Sequence, residues 1–458
     1  MAMQVEGKRF PHVRSHRVKK GSGKGPAGAF QPAIEAMSRE QLAELQLKRL
    51  RTSLRNAWDH VPLHRSRMEA LGVRPQDIKT LADVAKLPFT VKDDLRTHYP
   101  FGMFARPRHE LARLHASSGT TGKPTVVGYT ARDLDTWATC MARAMAATGM
   151  RKGDLLHNAL GYGLFTGGLG LHDGAEKLGA TVTPASGGFT ERQVVLIRDF
   201  GARAITATPS YALAIAEVAE QQGTPLRDSS LEIGLFGAEP WSESMRKELE
   251  DRLGLRAHDV YGLSEVMGPG VAIECEAQDG LHAWEDHFLF EVIDPDTGKP
   301  VKKGEAGELV ITTLTKEALP MIRYRTRDIT RLETKRCACG RTHLRLRRIT
   351  GRNDDMLIIR GVNVFPSQVE AVLVGREGLA PHWQLVVERR GNMDHLTIEA
   401  EALPGVPEAK YAALAADARH HVKSLIGLSA DVTMKKPGEI PRSQGKAVRV
   451  RDLRPKGG

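Results

Sequence analysis

Short apolar segments alternate with helical segments through the middle of the chain, and this alternation restricts the possible folds more than any other feature. The predicted strands are LLHNA at 155–159, ATVTP at 180–184, AITATP at 204–209 and EIGLFGAEP at 232–240. The predicted helices cover 131–148, 171–178, 190–200 and 210–222. Strands separated by helices of this length are typical of a mostly parallel sheet that is covered on both faces. Ligands bind such sheets at the carboxyl ends of the strands, where these segments end in small or polar residues.

The flanking regions differ in character, and they divide the chain into three predicted parts. A helix over 38–60 begins at Ser38, which forms a capping-box pattern with Gln41. Residues 280–350 are predicted to be β-rich, with a hairpin inside 291–314, and isolated strands and two helices follow from Gly351.

We therefore predict an α/β protein. A basic, disordered extension covers 1–37, and a large domain with mostly parallel sheets plus a β-rich part covers 38–352. A small mobile α+β domain covers 353–458, because about a hundred residues can support a separate core.

A loop rich in glycine and hydroxyl groups precedes the alternating segments. It consists of Ser117, Ser118, Gly119, Thr120, Thr121, Gly122 and Lys123. Backbone N–H groups and hydroxyls of such a loop can surround phosphate oxygens, and the lysine adds a positive charge. The pattern is not a Walker loop, because two residues separate the glycines and proline follows the lysine. The loop is therefore either a nucleotide phosphate loop that runs into a strand or a flexible surface hairpin.

Composition and charge exclude several classes of protein. The 458 residues are 41% hydrophobic and 26% charged, as in globular proteins. No apolar run approaches the roughly 20 residues that span a bilayer, and the start of the chain has no apolar signal region. We therefore expect a cytoplasmic protein without a membrane partner. The formal charge of +11 includes a lysine- and arginine-rich tail, which is typical of a solvated extension and, alternatively, of a nucleic-acid-binding arm.

Further motifs follow the glycine-rich loop in a fixed order. They are GAEPW at 237–241, YGLSE at 261–265, RYRTRD at 323–328, GRNDDMLIIRGVNVFPSQVE at 351–370 and PRSQGKAVRV at 441–450. Together with SSGTTGKP they resemble the adenylate-forming superfamily of acyl-CoA synthetases, luciferases and adenylation domains. More narrowly, the chain from about residue 38 onward is similar to the phenylacetate–coenzyme A ligase family, in segments that include YGLFTGG, WEDHF and LTKEALP. The resemblance implies ATP-dependent conversion of phenylacetate to phenylacetyl-CoA through an acyl adenylate, with release of AMP and diphosphate.

The resemblance implies nucleotide-binding roles for several of these residues. The loop from Ser117 to Lys123 is expected to hold the β- and γ-phosphates of ATP, Ser264 to approach the α-phosphate, and Glu265 to bind Mg²⁺. The residues expected to flank the adenine are Gly237, Ala238, Glu239, Pro240, Tyr261 and Gly262. Asp328 is expected to accept both ribose hydroxyls, and Arg352 to follow the nucleotide. Considered alone, Glu265 is a typical surface acid and Asp328 a typical salt-bridge partner of Arg325 or Arg327.

The C-terminal motifs imply roles in catalysis and in binding coenzyme A. Lys446 lies in a glycine-rich segment, and in the family the lysine of this motif neutralises the transition state of adenylate formation. Asp354 matches the hinge about which the small domain rotates between the two half-reactions. After that rotation the residues Gly361, Val362 and Asn363 are expected to face the pantetheine of coenzyme A.

The resemblance also implies an aryl acetate as the substrate. Its pocket is expected to be lined by Tyr162, Phe165, Gly168, Phe236, Ala238 and Pro269. The glycine-rich run from Gly161 to Gly170 either leaves room for this substrate or allows close helix packing. Leu160 and Ala185 replace larger side chains that are common in the family, so a bulkier or hydroxylated aryl acid is an alternative substrate.

Two other functions stay open, together with the oligomeric state. The chain could adenylate an acid and load it on a carrier protein, although no carrier-like domain is fused to it. A nucleic-acid-binding protein is supported by the basic tail alone, so nucleic acid is not an expected partner. The expected partners are the acid, ATP and coenzyme A, and the chain is expected to be a monomer or a homodimer.

Cysteine and histidine spacing points to a further candidate site. Cys275 and His282 are followed by the pair Cys337 and Cys339, which together supply a Cys₃His set of the kind that structural zinc prefers. The alternative is a group of reduced cysteines in a β-rich loop. The remaining Cys140 lies in an apolar helical pattern and is predicted to be a core residue.

Overall fold

The computed structural model describes Pro26 and residues 28–117, 124–352, 357–359, 362–390, 393–443 and 447–454. Within them the α-helices are α1 (Pro32–Glu35), α2 (Arg39–His60), α3 (Pro62–Ala70), α4 (Lys92–Thr97), α5 (Ala131–Ala147), α6 (Thr166–Leu178), α7 (Thr190–Asp199), α8 (Pro209–Gln221), α9 (Glu243–Leu253), α10 (Pro366–Leu373) and α11 (Tyr411–Ile426). The β-strands of the same residues are β1 (Arg113–Ser117), β2 (Thr125–Tyr129), β3 (Leu155–Asn158), β4 (Thr181–Thr183), β5 (Ala204–Ala207), β6 (Ile233–Gly237), β7 (Arg256–Leu263), β8 (Gly268–Glu274), β9 (Leu281–Ala283), β10 (Phe288–Ile293), β11 (Gly307–Thr313), β12 (Tyr324–Thr330), β13 (Leu332–Glu333), β14 (Arg345–Leu346), β15 (Gly351–Arg352), β16 (Leu357–Ile359), β17 (Val362–Val364), β18 (Leu379–Arg390), β19 (Met393–Ala402), β20 (Asp431–Lys435) and β21 (Val450–Asp452).

The predicted alternation of strands and helices forms the central sheet. Among the described residues this sheet has nine strands, in the order β13-β14-β9-β8-β7-β6-β5-β3-β4. The five strands from β4 to β7 are parallel, and the others continue the sheet in antiparallel pairing. The carboxyl ends of β3, β5, β6 and β7 therefore lie along one edge, where the sequence predicts a ligand site.

Two further sheets account for the predicted β-rich part and for the C-terminal region. The strands β10, β11, β12 and β15 form an antiparallel sheet that includes the predicted hairpin. In the C-terminal region the segment LTIEAEA was predicted to be an isolated strand. It belongs instead to β19, inside a sheet of the order β20-β19-β18-β21. The missed strand β18 carries Trp383 and Leu385, whose side chains are buried. Its pairing with β19 removes the unpaired backbone groups that an isolated strand would leave.

Side-chain caps stabilise the starts of the predicted helices α2 and α5. The Ser38 hydroxyl accepts a hydrogen bond from the Gln41 backbone N–H at 3.2 Å, and the Gln41 side chain accepts one from the Ser38 N–H. Thr130 and Asp133 form the equivalent capping box at the start of α5. The capping-box prediction at Ser38 is confirmed, and such caps are worth about 1 kcal/mol each.

Helix α6 begins at Thr166, whereas the sequence predicted its start at 171. Its glycines, typical of a loop, are needed because α6 packs closely on α5. A Cβ atom on Gly170 would lie 2.1 Å from the Trp137 ring, and one on Gly174 would lie 2.4 Å from the Met141 Cβ atom. Close helix packing, one of the two interpretations of this run, is confirmed at Gly170.

The predicted disordered extension over 1–37 is too long at its C-terminal end. Residues 28–37 are described and contain α1, whose Glu35 is completely buried. The Glu35 carboxylate accepts a hydrogen bond from Arg341 Nε at 2.7 Å. This partner lies about three hundred residues away, at a sequence separation of 306, so local composition could not reveal it.

Two large hydrophobic clusters lie on the two sides of the central sheet. The first contains Trp137, Met141 and the predicted core residue Cys140, which is completely buried. The second joins residues of α8 and α9 to the C-terminal region, with Trp241 and Trp383 among its members. No helix in the described ranges combines the length and the apolar character that crossing a membrane requires.

Candidate active site

The carboxyl ends of β6 and β7 bring the GAEPW and YGLSE motifs side by side. Gly237 pairs with Val260 in the parallel register of these strands. A Cβ atom on Gly237 would lie 2.3 Å from the Val260 carbonyl oxygen, so this position requires glycine. Ala238 follows with a φ of 69°, a left-handed conformation that non-glycine residues rarely adopt. Strained backbone of this kind is common at functional sites and turns the chain sharply at the sheet edge.

Tyr261 connects the YGLSE motif to the RYRTRD motif. Its hydroxyl donates a hydrogen bond to Asp328 Oδ2 at 2.5 Å, and Asp328 is buried on β12. Arg325 Nη2 forms an ion pair with Glu308 Oε2 at 2.5 Å. The alternative interpretation, in which Arg325 pairs with Asp328, is therefore wrong. The strand β15 places the backbone of Arg352 opposite Asp328 in antiparallel register. Three predicted nucleotide-binding positions are thus neighbours.

Ser264 and Glu265 form a turn beyond the end of β7. Ser264 Oγ lies 2.9 Å from Thr166 Oγ1, at the first residue of α6. Glu265 is buried, and its Oε1 atom lies 3.2 Å from Lys92 Nζ. The interpretation of Glu265 as a surface acid is wrong, because its side chain is only 6% exposed.

Lys316 holds this turn through hydrogen bonds to its backbone. The sequence predicted no role for this residue. Its buried Nζ atom donates hydrogen bonds to the carbonyl oxygens of Glu265 and Ser264, at 3.3 and 3.5 Å. The ammonium group lies 4.5 Å from the centre of the Tyr129 ring. Burial lowers the pKa of Lys316 to about 8, while the carboxylates of Asp133 and Glu265 oppose this shift. Lys316 belongs to the LTKEALP segment, whose only sequence signal was the family resemblance.

The carboxylate of Glu239 has partners that sequence analysis did not predict. Its Oε1 atom accepts hydrogen bonds from the backbone N–H and the hydroxyl of Ser210, at 2.8 and 2.6 Å. Its Oε2 atom accepts one from the Ala447 N–H at 2.8 Å. Glu239 therefore links the start of α8 to the end of the C-terminal lysine motif. Its contact with adenine stays a prediction.

The residues predicted to line the aryl pocket occupy different environments. Tyr162 accepts a hydrogen bond from Asn158 Nδ2 at 2.7 Å, and burial raises the pKa of its hydroxyl to about 12. Asn158 also donates to the Gly168 carbonyl oxygen at 2.8 Å. Phe165 is 54% exposed at the start of α6. These three predicted positions therefore share the region at the end of β3.

Two other predicted pocket residues, Phe236 and Pro269, contact buried tryptophans. Phe236 has no exposed surface, and its ring packs edge-to-face on Trp241 with 6.1 Å between ring centres. Phe236 belongs to the second hydrophobic cluster, and its contact with the acid stays a prediction. The Pro269 carbonyl oxygen accepts a hydrogen bond from Trp137 Nε1 at 2.9 Å.

The predicted Cys₃His set forms one buried cluster. The donor atoms of Cys275, His282, Cys337 and Cys339 all lie within 4.8 Å of one another. The sulfur atoms of Cys275 and Cys337 are 3.7 Å apart, and Cys339 Sγ lies 3.3 Å from His282 Nε2. Bond lengths of about 2.3 Å to sulfur and 2.0 Å to nitrogen around tetrahedral zinc give donor separations of about 3.5 to 3.8 Å. The donor set therefore fits a structural zinc ion.

Several predicted site residues lie outside the described residues. They are Ser118, Gly119, Thr120, Thr121, Gly122 and Lys123 of the loop, the hinge residue Asp354, Gly361 and Lys446. The backbones of Ser117, Val362, Asn363 and Arg352 are described as strand residues, and their side chains are not. Ser117 pairs with Thr125 in the β1–β2 hairpin, so the loop connects two antiparallel strands. The prediction that it runs into a strand is confirmed.

Comparison with known proteins agrees with these motifs along nearly the whole chain. The sequence profile of the AMP-binding enzyme family matches residues 43–315, and that of the AMP-binding enzyme C-terminal domain matches 361–454. The phenylacetate-coenzyme A ligase of Aromatoleum evansii is 55% identical over 436 residues, which are 94% of this chain and 98% of the relative.

Solved structures of a 2-hydroxyisobutyryl-CoA ligase also match. The structure in the postadenylation state with 2-HIB-AMP has a TM-score of 0.88 and 32% identity, and covers 93% of this chain and 92% of that one. The structure in the thioesterification state, with 2-HIB-AMP and CoA, has a TM-score of 0.70 and 33% identity, and covers 93% of both chains. From the motifs, their geometry and the extent of these matches, the chain belongs to the phenylacetate–coenzyme A ligase family of AMP-binding enzymes.

Proposed function

We propose that this protein converts phenylacetate to phenylacetyl-CoA in two half-reactions. A carboxylate oxygen of the acid attacks the α-phosphorus of ATP, the bond to diphosphate breaks, and an acyl adenylate forms. The thiol sulfur of coenzyme A then attacks the acyl carbon, AMP leaves, and the thiol gives up its proton. The observation that carries the proposal is the Tyr261–Asp328 hydrogen bond beside the Ser264–Glu265 turn, at the carboxyl edge of the sheet.

The first half-reaction brings two anions together, so this chain must supply positioning and positive charge. Glu265 would hold Mg²⁺, which when bound neutralises phosphate oxygens. Lys92 Nζ lies 3.2 Å from Glu265 Oε1, so a positively charged group lies beside this carboxylate. Lys316 fixes the turn by holding two consecutive carbonyl oxygens. These contacts support the assignment of Glu265 as the metal ligand.

Asp328 would accept the ribose hydroxyls, and the Tyr261 hydrogen bond holds its carboxylate in place. Ser264, oriented by Thr166, would face the α-phosphate. Lys446, Asp354 and the glycine-rich loop keep the roles that the family resemblance implies. Their assignment rests on motif order and spacing in the sequence.

The choice of phenylacetate rests on family membership and on the region at the end of β3. Tyr162, Phe165 and Gly168 lie there, close to the partly buried Leu160. A methylene-sized change at Leu160 or Ala185 alters discrimination between acids by roughly 1 to 3 kcal/mol. A bulkier aryl acid is therefore the main alternative substrate.

Release of AMP by the purified protein tests the proposal. The reaction contains ATP, Mg²⁺ and coenzyme A, with phenylacetate, hydroxyphenylacetates, benzoate, indoleacetate or a fatty acid. We expect the highest kcat/KM with phenylacetate, and no AMP above background with any acid would overturn the proposal. Tyr261→Phe removes only the hydroxyl that orients Asp328, so we expect a higher KM for ATP with an unchanged preference among acids.

We also propose that Cys275, His282, Cys337 and Cys339 bind structural zinc. Four protein ligands leave no open position, so the ion would stabilise the fold and supply no catalytic chemistry. Mass-spectrometric metal analysis should give about one zinc per chain, and Cys337→Ser should lower both the zinc content and the unfolding temperature. Cys140→Ala is the matched control, since Cys140 is equally buried but lies outside the cluster. Equal zinc content in the two variants would contradict the assignment.

A further inference from the structure

Glu217 on α8 forms an ion pair with Arg442 of the C-terminal region. Arg442 Nε and Nη2 donate hydrogen bonds to the two carboxylate oxygens of Glu217, both at 3.0 Å. The two residues are 225 positions apart, and their side chains are 24% and 23% exposed. A bidentate arginine–carboxylate contact fixes the relative orientation of the two groups more tightly than a single hydrogen bond does.

A second carboxylate, from the C-terminal region itself, holds Arg442 in place. Glu401, whose side chain is 1% exposed, accepts hydrogen bonds from Arg442 Nη1 and Nη2 at 2.8 and 2.7 Å. Glu401 also accepts the backbone N–H groups of Gly438 and Ile440. The guanidinium group is therefore oriented before it meets Glu217. His382 completes the cluster, with Nε2 at 3.4 Å from the Glu217 carboxylate.

Two further contacts hold the chain just after the sequence position of Lys446. The Ala447 N–H donates to Glu239, which is itself bonded to Ser210 at the start of α8. Arg449 Nη2 donates to the Ser210 hydroxyl at 3.1 Å. Contacts at 442 and at 447–449 thus tie the C-terminal segment to one helix of the large domain, on both sides of the sequence position of Lys446.

This arrangement matches one of the two states compared above. The TM-score is 0.88 with the postadenylation structure and 0.70 with the thioesterification structure of the same ligase, at nearly equal identity and coverage. Because identity and coverage are nearly equal, they do not explain the difference in TM-score. We attribute it to the placement of the C-terminal region relative to the large domain. The Glu217–Arg442 pair therefore belongs to the postadenylation-like arrangement.

We propose that Glu217 is a positioning residue for adenylate formation. It engages Arg442 in the arrangement described here, and so favours the postadenylation-like placement, in which the family resemblance implies that the C-terminal lysine motif serves the nucleotide site. The inference rests on the proposed function. Because both side chains are partly exposed, water can solvate them when the pair opens, and the second half-reaction stays accessible.

Separate measurement of the two half-reactions tests this inference. ATP–diphosphate exchange with phenylacetate reports adenylate formation, and CoA ester formation from supplied phenylacetyl adenylate reports the second step. For Glu217→Gln we expect exchange to fall about tenfold, equivalent to about 1.4 kcal/mol, with the second step unchanged or faster. Glu217→Asp keeps the charge but shortens the side chain, so its loss should be smaller.

Glu220→Gln is the matched control, because Glu220 lies on the same helix and pairs with Arg252 within the large domain. It should leave both half-reactions unchanged, and thermal unfolding of all variants checks that they fold. An equal loss in both half-reactions for Glu217→Gln, or no loss in exchange, would overturn the inference. If the unmodified protein shows no exchange with any acid, the proposed function fails instead.

Discussion

Two arginine–carboxylate contacts in this molecule resemble each other in geometry and differ in exposure. Arg143 on α5 donates to both carboxylate oxygens of Asp286, at 2.8 and 3.0 Å, and the two side chains are 2% and 1% exposed. Arg442 makes the equivalent contact with Glu217, where both side chains are about a quarter exposed. The first pair lies inside the large domain and the second joins it to the C-terminal region.

The difference in exposure separates a permanent contact from one that can open. Opening a fully buried pair leaves charges without water, whereas a partly exposed pair is resolvated. Variants of the buried pair should therefore change the free energy of unfolding. Variants at the contact with the C-terminal region should change the rate of one half-reaction.

The largest expected effect is at the buried pair. Arg143→Met leaves Asp286 buried without its main partner and should cost about 3 to 5 kcal/mol of unfolding free energy, measured by urea denaturation. Arg49→Met is the control, because Arg49 reaches the same carboxylate at 3.3 Å from a position that is 29% exposed. If both variants lose the same stability, exposure is not what separates the two kinds of contact.

The next largest effect is a lower rate of adenylate formation with an unchanged free energy of unfolding. Lys446→Ala should lower ATP–diphosphate exchange about a hundredfold to a thousandfold, because it removes charge stabilisation in the transition state. Thioester formation from a supplied acyl adenylate and the urea midpoint should both stay close to those of the unmodified protein. A comparable loss in both half-reactions would contradict the division of labour between two arrangements.

Changing pH should affect the two regions in different windows. Burial lowers the pKa of His64 to about 4 and that of His287 to about 3, from 6.5, so the unfolded chain binds more protons between these values. The unfolding free energy should therefore fall as pH decreases below 6.5, by about 1.4 kcal/mol per pH unit for each histidine. His64→Gln should reduce this slope by one histidine's share, and the 80% exposed His109 is the control, since His109→Gln should not.

The contact between the two regions titrates at lower pH. Burial alone would raise the pKa of Glu217, but hydrogen bonds from His382 and Arg442 lower it to about 2, from 4.5. Its contribution is present above 4.5 and is lost as pH falls towards 2. ATP–diphosphate exchange in Glu217→Gln should therefore differ from the unmodified protein by a constant factor between pH 6 and 8. A factor that changes across this range would indicate a different titrating partner.

The smallest effect is expected at an exposed pair. Arg389 on β18 lies 2.8 Å from Asp394, and its side chain is 51% exposed. Exposed pairs gain little because water and salt screen them. Arg389→Gln should leave the unfolding midpoint and both half-reactions unchanged, and a measurable loss would show that exposure is a poor guide in this protein.

Local sequence signals predicted the elements and several members of the site. The capping box at Ser38 and Gln41, the parallel strands β3, β4, β5 and β6, and the Cys₃His cluster all depend on residue type and spacing. Motif order predicted that Tyr261 and Asp328 serve one site, and their side chains are hydrogen-bonded. These features were accessible because each needs few residues of a distinctive kind.

Other site features depend on contacts that no local pattern encodes. Lys316 and Lys92 approach Glu265 from distant segments, and Phe236, a predicted pocket residue, packs on Trp241. Burial depends on which neighbours cover a side chain. A strand that is apolar on both faces does not reveal which face a ligand reaches.

The sequence alone determined the family and the alternation of strands and helices that forms the parallel part of the central sheet, because these follow from residue types and short spacings. Only the tertiary structure decided which carboxylates are held by arginines, such as Asp286 and Glu217, and how exposed each pair is. It also decided that Glu239 contacts Ser210 and Ala447. The physical reason is that desolvation and ion pairing depend on the distance between groups in space, and folding brings together groups that lie hundreds of residues apart.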